Sequence, residues 1–154
     1  MQKFVIDRMR DSDVPHVVAI DATSEGSSAW DEAQLRGELE RTWAHLWVSR
    51  EGEVPVAFVC TWHVADELHV LNVATHPDHR RRGHARRLLE DAISFASERR
   101  VRLVLLEVRR SNAGAIGLYR GFGFIAMGGL SAAFWVLTVR GSAARNALRR
   151  IQRR

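Results

Sequence analysis

The stretch LNVATHPDHRRRGHA, residues 71–85, constrains this chain more than any other. A short apolar strand opening on Leu71, Asn72 and Val73 runs into a break at His76-Pro77. Three arginines follow, Arg80, Arg81 and Arg82, then Gly83, and a helix begins at once with His84 and Ala85. A parallel α/β protein builds an anion site this way, because the first N–H groups of a helix lack intrahelical acceptors and point outward. Gly83 lets an anion approach the backbone where a side chain would obstruct it. The arginines add positive charge and hydrogen-bond donors. Taken alone, the cluster is equally consistent with a solvated basic turn. No dinucleotide-binding or P-loop glycine pattern is present.

A chain of 154 residues is long enough for one domain with a real hydrophobic core. No apolar run approaches a membrane span, and charged residues interrupt the opening MQKFVIDRMR, so the expected location is the cytoplasm with no membrane partner. The lone cysteine, Cys60, excludes an internal disulfide and a cysteine-rich zinc site. Its apolar neighbours Val56, Ala57, Phe58 and Val59 mark it as a buried structural thiol, not a nucleophile. The formal charge of +5 is concentrated at one end. Residues 140–154 hold six arginines and no acid, which leaves −1 for residues 1–139. That balance argues against a body built for nucleic acid and assigns any such role to the tail.

Strand and helix signals alternate along the chain. Residues 3–8 read as a strand. Asp11 or Ser12 can cap the next helix, Asp13 suits its first turn, and Pro15 is tolerated there. Val14, Val17, Val18 and Asp21 then recur at helical spacing. Residues 22–29 are small and polar, a loop around Gly26. Residues 30–42 form a second helix with Leu35 and Leu39 on one face; Trp30 at its start is either an anchor for the core or a wall of an acceptor groove. Residues 45–49 and 54–64 are antiparallel strands around a turn at 50–53, and 67–74 form a third. Over residues 84–100, Ala85, Leu88, Leu89, Ala92, Ile93 and Ala96 make an apolar stripe, and the helix dipole points at the arginine loop. The run VRLVLLEV at 101–108 suits a strand covered on both faces. Ser111 or Asn112 caps a short helix over 113–120, with Gly121 and Gly123 at its exit; 124–127 and 133–139 are the last strands, around a Gly128-Gly129 turn.

The second informative segment is LEVRRSNAGAIGLYRGFGF, residues 106–124, which contains Glu107, Asn112 and Tyr119. With the Arg80-x-x-Gly83-x-Ala85 run it resembles the GNAT family of N-acetyltransferases, in which an Arg or Gln, two residues, Gly, one residue, and Gly or Ala precede an LEVR…SN…A…LY…GF signature. The resemblance covers roughly residues 4–124 and is greatest to the bacterial enzymes that acetylate the N-terminal alanine of a small-subunit ribosomal protein. It implies an α/β (α+β) GNAT fold: a single domain over 1–139 with a mixed, mostly antiparallel sheet flanked by helices and split between two central parallel strands, then a basic tail or helix at 140–154. It implies acetyl-CoA as cofactor, its pyrophosphate cradled by Arg80, Arg81, Arg82, Gly83, His84 and Ala85. Leu71, Asn72 and Val73 form the strand beside its pantetheine, with backbone pairing expected at Val73, His84 and Ala85. Asn112 matches a family asparagine that contacts the cofactor, and reads equally well as an N-cap.

Acetyl transfer needs an uncharged amine, an electrophilic thioester and a way to stabilise the departing thiolate. A protein α-amine has a pKa near 8, so one carboxylate at the entry point can take its proton, directly or through a water. Glu107 is the candidate base; partial burial at the end of an apolar strand would raise its pKa. It reads otherwise as a strand-end carboxylate paired with Arg109. Tyr119, the only tyrosine, is the candidate general acid, and reads otherwise as a core residue. Trp30 and Glu107 are the expected acceptor-binding residues. His76, His79 and His84 share a turn with arginines and read as surface histidines, so no metal is expected. Ala29 precedes Trp30 where the resembled enzymes carry proline, and GGLSAAFWVLTV lacks their paired hairpin tyrosine. These departures bear on the acceptor and leave the cofactor half intact. The expected function is acetylation of a protein or peptide N-terminal α-amine, such as that of a small-subunit ribosomal protein, by direct attack. The alternatives are acetylation of a small-molecule amine, and a basic-tailed ribosome- or nucleic-acid-associated module.

Overall fold

The structure, a computed structural model, describes residues 4–24, 29–128 and 132–139. Lys3, residues 25–28 of the 22–29 loop, Gly129 and the tail at 140–154 lie outside the described residues. Two units divide the chain, one drawn from Met1–Trp62 and Asn72–Leu89, the other from His63–Leu71 and Glu90–Arg154.

In the first unit β1 (Val5–Arg8) pairs antiparallel with β2 (Ala44–Glu51), and β2 with β3 (Val54–Val64). The expected turn at 50–53 is shorter than its sequence suggested. Strand pairing continues through Glu51, and Gly52, at φ +70°, makes the left-handed turn. Helix α1 (Val14–Ala22) carries Pro15 in its first turn, where no intrahelical N–H is lost. Helix α2 (Glu32–Glu40) starts two residues later than expected, because Asp31 and Gln34 form a reciprocal capping box. Val14, Val17, Ile20 and Leu35 from these helices meet Leu46, Val48, Phe58, Cys60 and Ala74 in one core. Burial pushes the Cys60 thiol pKa up, aided by the Glu38 charge, which keeps it neutral as the sequence suggested.

Asp13 sits at the start of α1, as expected, and does more than place a charge there. It is buried and receives both Nη atoms of Arg50 at 2.7 Å, while Arg50 Nε donates to Asp7 at 2.9 Å. This bidentate pair ties α1 to β2.

The second unit holds the start of β4 (Glu67–Thr75), β5 (Leu103–Arg109), α4 (Ala113–Phe122), β6 (Ile125–Ala126) and β7 (Ala132–Thr138). β4 runs parallel to β5 from Glu67↔Leu103 to Val70↔Leu106, and that register ends there. β5 pairs antiparallel with β7, and β7 with β6. The strand pairs are therefore mostly antiparallel with one parallel pair and helices alongside, the mixed arrangement the resemblance implied. β5 corrects one expectation. Val104, Leu106 and Val108 are buried, but Glu107 and Arg109 on the opposite face are exposed, so the strand is not covered on both sides along its length. Gly123, at φ +99°, ends α4; Gly121 lies inside the helix. Helix α3 (His84–Glu98) passes from the first unit into the second. Among the described residues no helix is long and apolar enough to cross a membrane.

Candidate active site

In the first unit the arginine loop forms as the sequence indicated. β4 ends at Thr75, His76 Nδ1 accepts from Asp78 N–H, and a short 3-10 turn covers Pro77–His79. Arg80 Nε donates to the Thr75 carbonyl at 3.3 Å. Arg81 and Gly83 both take positive φ, +61° and +92°, so the backbone turns sharply twice before α3. The helical ladder opens with Arg87 N–H donating to the Gly83 carbonyl. The N–H groups of His84, Ala85 and Arg86 precede that bond and have no intrahelical acceptor. A diphosphate fits donors of this kind, at the positive end of a 15-residue helix and beside the exposed Arg80, Arg81 and Arg82.

His84 is not the surface histidine that the turn suggested. Its side chain is 1% exposed, packed against the Phe4 ring at 4.1 Å, with Nδ1 2.7 Å from Ser49 Oγ and Nε2 2.7 Å from Glu51 Oε1. The side chain anchors the helix start inward while its backbone N–H stays at the loop. His79 and Arg82 also reach Glu51. In the sequence Glu51 reads only as a turn residue; its partners lie about thirty positions away, and no local pattern signals them.

Asp21, in the sequence one member of a helical repeat, holds a second such cluster. It is 1% exposed, and its carboxylate accepts from the Trp30 backbone N–H at 2.9 Å and from Asn72 Nδ2 at 2.8 Å. Trp30 is half-buried and packs on the core, which matches the anchor reading. Asn72 is thus held through its side-chain amide.

The second unit places the remaining candidates. Leu71, exposed, is the first β4 residue beyond the parallel register with β5. Glu107 is the first β5 residue beyond it, opposite Phe134 of β7. Both Glu107 and Phe134 are exposed, so Glu107 lacks the expected partial burial and the case for it rests on position. Asn112 caps α4, its Oδ1 accepting from Ala115 N–H at 3.1 Å. Tyr119 is 5% exposed with its ring 5.8 Å from Phe124, and burial pushes its phenol up to about 12. Residues 129–131 of the last hairpin lie outside the described residues.

Comparison with known proteins gives these features a context. The model of the acetyltransferase (GNAT) family matches residues 7–124. The Escherichia coli K12 ribosomal protein bS18-alanine N-acetyltransferase is 37% identical over 95 residues, 62% of this chain and 64% of that protein. A Bacillus subtilis protein, a candidate enzyme of the same name, is 33% identical over 123 residues, 79% of this chain and 80% of its own. The crystal structure of the Escherichia coli ribosomal-protein-S18-alanine N-acetyltransferase superposes with a TM-score of 0.82 at 27% identity, covering 91% of this chain and 96% of that one.

Proposed function

We infer the function from one premise: this chain belongs to the acetyltransferase (GNAT) family, whose model spans residues 7–124. It is an acetyl-CoA-dependent N-acetyltransferase related to the ribosomal-protein alanine enzymes. Its acceptor is the α-amine of a protein or peptide N-terminus, of the ribosomal-protein alanine type. The observation that carries this reading is the opening of α3, where first-turn N–H groups without an intrahelical acceptor follow an exposed arginine-rich loop, a setting that suits the phosphates of acetyl-CoA.

The reaction forms an N–C bond to the acetyl carbon and breaks its C–S bond. Glu107 takes the proton that the ammonium must lose, directly or through a water, and passes it to solvent. Because an α-amine has a pKa near 8, this is a modest demand at neutral pH. Tyr119 acts at the sulfur. Burial lifts the Tyr119 phenol well above the range of a thiol, so full proton transfer to the thiolate is uphill. Tyr119 therefore stays protonated and donates a hydrogen bond to the departing sulfur, and solvent protonates the thiol afterwards. This refines the general-acid role expected from sequence. No covalent enzyme step is needed, consistent with the buried, neutral Cys60.

The test is CoA release from acetyl-CoA, with mass detection of product, against peptides starting with Ala, Ser, Met or Gly and against free polyamines. Acetylation of the α-amine of the Ala-starting peptide is expected. Transfer to polyamines alone would move the acceptor to small amines.

A further inference from the structure

We propose that Glu51 is a positioning residue for acetyl-CoA: it holds the loop at residues 79–84 in its phosphate-binding shape and takes Arg82 out of direct phosphate contact. The phosphate contacts then fall to Arg81 and to the N–H groups opening α3. The inference rests on the acetyl-CoA reading above.

Glu51 ends β2, and its carboxylate gathers three side chains from the loop. Oε1 lies 2.7 Å from His84 Nε2 and 3.3 Å from Arg82 Nη1; Oε2 lies 2.9 Å from His79 Nδ1 and 3.0 Å from Arg82 Nη1. An ionised carboxylate only accepts, so His84 donates from Nε2 and His79 from Nδ1. When neutral, His84 then accepts at Nδ1 from Ser49 Oγ, also on β2. Residues 79, 82 and 84 are thereby pinned to one strand end, on either side of the two positive-φ residues Arg81 and Gly83. Arg81, a non-glycine residue in left-handed backbone, needs such support. Its side chain is exposed and has no partner among the described residues, so it is available to an anion.

The ligand atoms of Glu51, His79 and His84 lie within 4.8 Å of one another, a grouping that could suit a metal ion. Arg82 already serves as its cation. Nη1 sits 3.0 and 3.3 Å from the two carboxylate oxygens and 3.3 Å from His79 Nδ1. A guanidinium cannot shed its charge to make way for a divalent ion. The cluster is a cradle for Arg82.

The experiment titrates coenzyme A into the full chain by calorimetry and measures acetyl transfer in parallel. Glu51→Gln keeps the shape and removes the charge. It should weaken CoA binding by about tenfold and raise KM for acetyl-CoA, while kcat at saturation changes much less. Arg82→Gln should weaken binding comparably, and the double variant should be no worse than the poorer single variant, because the two act as one unit. Arg81→Gln should instead weaken CoA binding and lower its salt dependence, because it removes a phosphate contact itself. Unchanged affinity in Glu51→Gln overturns the proposal, and so do additive losses from Glu51→Gln and Arg82→Gln, since Arg82 would then touch phosphate itself. Zn²⁺ binding by the parent chain that His79→Ala abolishes also overturns it. Should Glu51→Gln fail to fold by far-UV circular dichroism, Arg82→Gln carries the test. Its loss of affinity should leave the salt dependence of CoA binding unchanged, and a reduced dependence counts against the proposal. A parent chain that does not bind CoA at all would instead refute the acetyl-CoA reading, a result distinct from parent and variant binding alike.

Discussion

At the scale of single residues, the proposed chemistry is divided between an exposed carboxylate, Glu107, and a buried phenol, Tyr119. Glu107 faces solvent because strand alternation turns Leu106 and Val108 inward, and its exposed cross-strand neighbour is Phe134. Replacing it with Gln should lower kcat by roughly tenfold to a hundredfold at neutral pH, within the usual span for a lost general base. The deficit should shrink as pH rises past 8, where the amine loses its proton unaided. Acetyl-CoA affinity should stay within about twofold. A variant with parent kcat and a raised KM would make Glu107 a structural carboxylate at a strand end. Tyr119→Phe should also slow turnover. Its deficit should persist at high pH, because the proposed hydrogen bond would act on the leaving sulfur and leave the amine's ionisation alone. Measured kcat–pH profiles for the two variants separate the roles.

At the scale of elements, α4 offers a test of whether one side chain serves both a fold and a ligand. Asn112 caps the helix by accepting from Ala115 N–H, and it also matches the family position expected to touch the cofactor. Asn112→Ala should cost about 1 kcal/mol in urea unfolding, the usual price of a lost N-cap. Asn112→Asp keeps the cap and should hold stability near the parent value. It should nonetheless weaken CoA binding, because it sets a negative charge beside an anion. Equal CoA affinity in the Asp variant would leave Asn112 as a cap alone. The same helix shows what sequence could convey. Its start was legible, since a cap residue acts on N–H groups three positions away. Its exit is legible only to within two residues: the sequence marks both Gly121 and Gly123, and the backbone shows that Gly123 carries the left-handed φ. The arginine loop was legible for the same local reason. Its supports were not: Ser49 and Glu51 meet His84 from β2, and Asp21 meets Trp30 and Asn72 from α1. Such pairs depend on which strand ends and helix faces the fold brings together, and spacing along the chain carries no record of that.

At the scale of the whole molecule, these long-range carboxylates set the response to acid. The hydrogen bond from His84, opposed by burial and reinforced by Arg82 and His79, holds the Glu51 carboxyl at about 2. For Asp13 burial acts upward, but the hydrogen bonds from Arg50 and the Arg10 N–H, with the two guanidinium charges, bring it below the usual carboxylate range. A carboxyl whose pKa is lower folded than unfolded binds fewer protons in the folded chain through the interval between the two values. Its stabilisation is complete above the unfolded value, near 4, and is lost as pH falls through the folded one. Thermal midpoints should therefore hold from pH 7 to about 5 and then fall steeply between about 4.5 and 2. Glu51→Gln should start from a lower midpoint at pH 7 yet fall less steeply across that window, because a glutamine has no proton to gain. Asp13→Asn should flatten the same limb through the Arg50 pair. Its loss at pH 7 should be the larger of the two, since it leaves a buried guanidinium without its bidentate partner. An acid limb in Glu51→Gln as steep as in the parent would mean that Glu51 titrates alike in the folded and unfolded chain, and that its grip on the arginine loop adds nothing to stability.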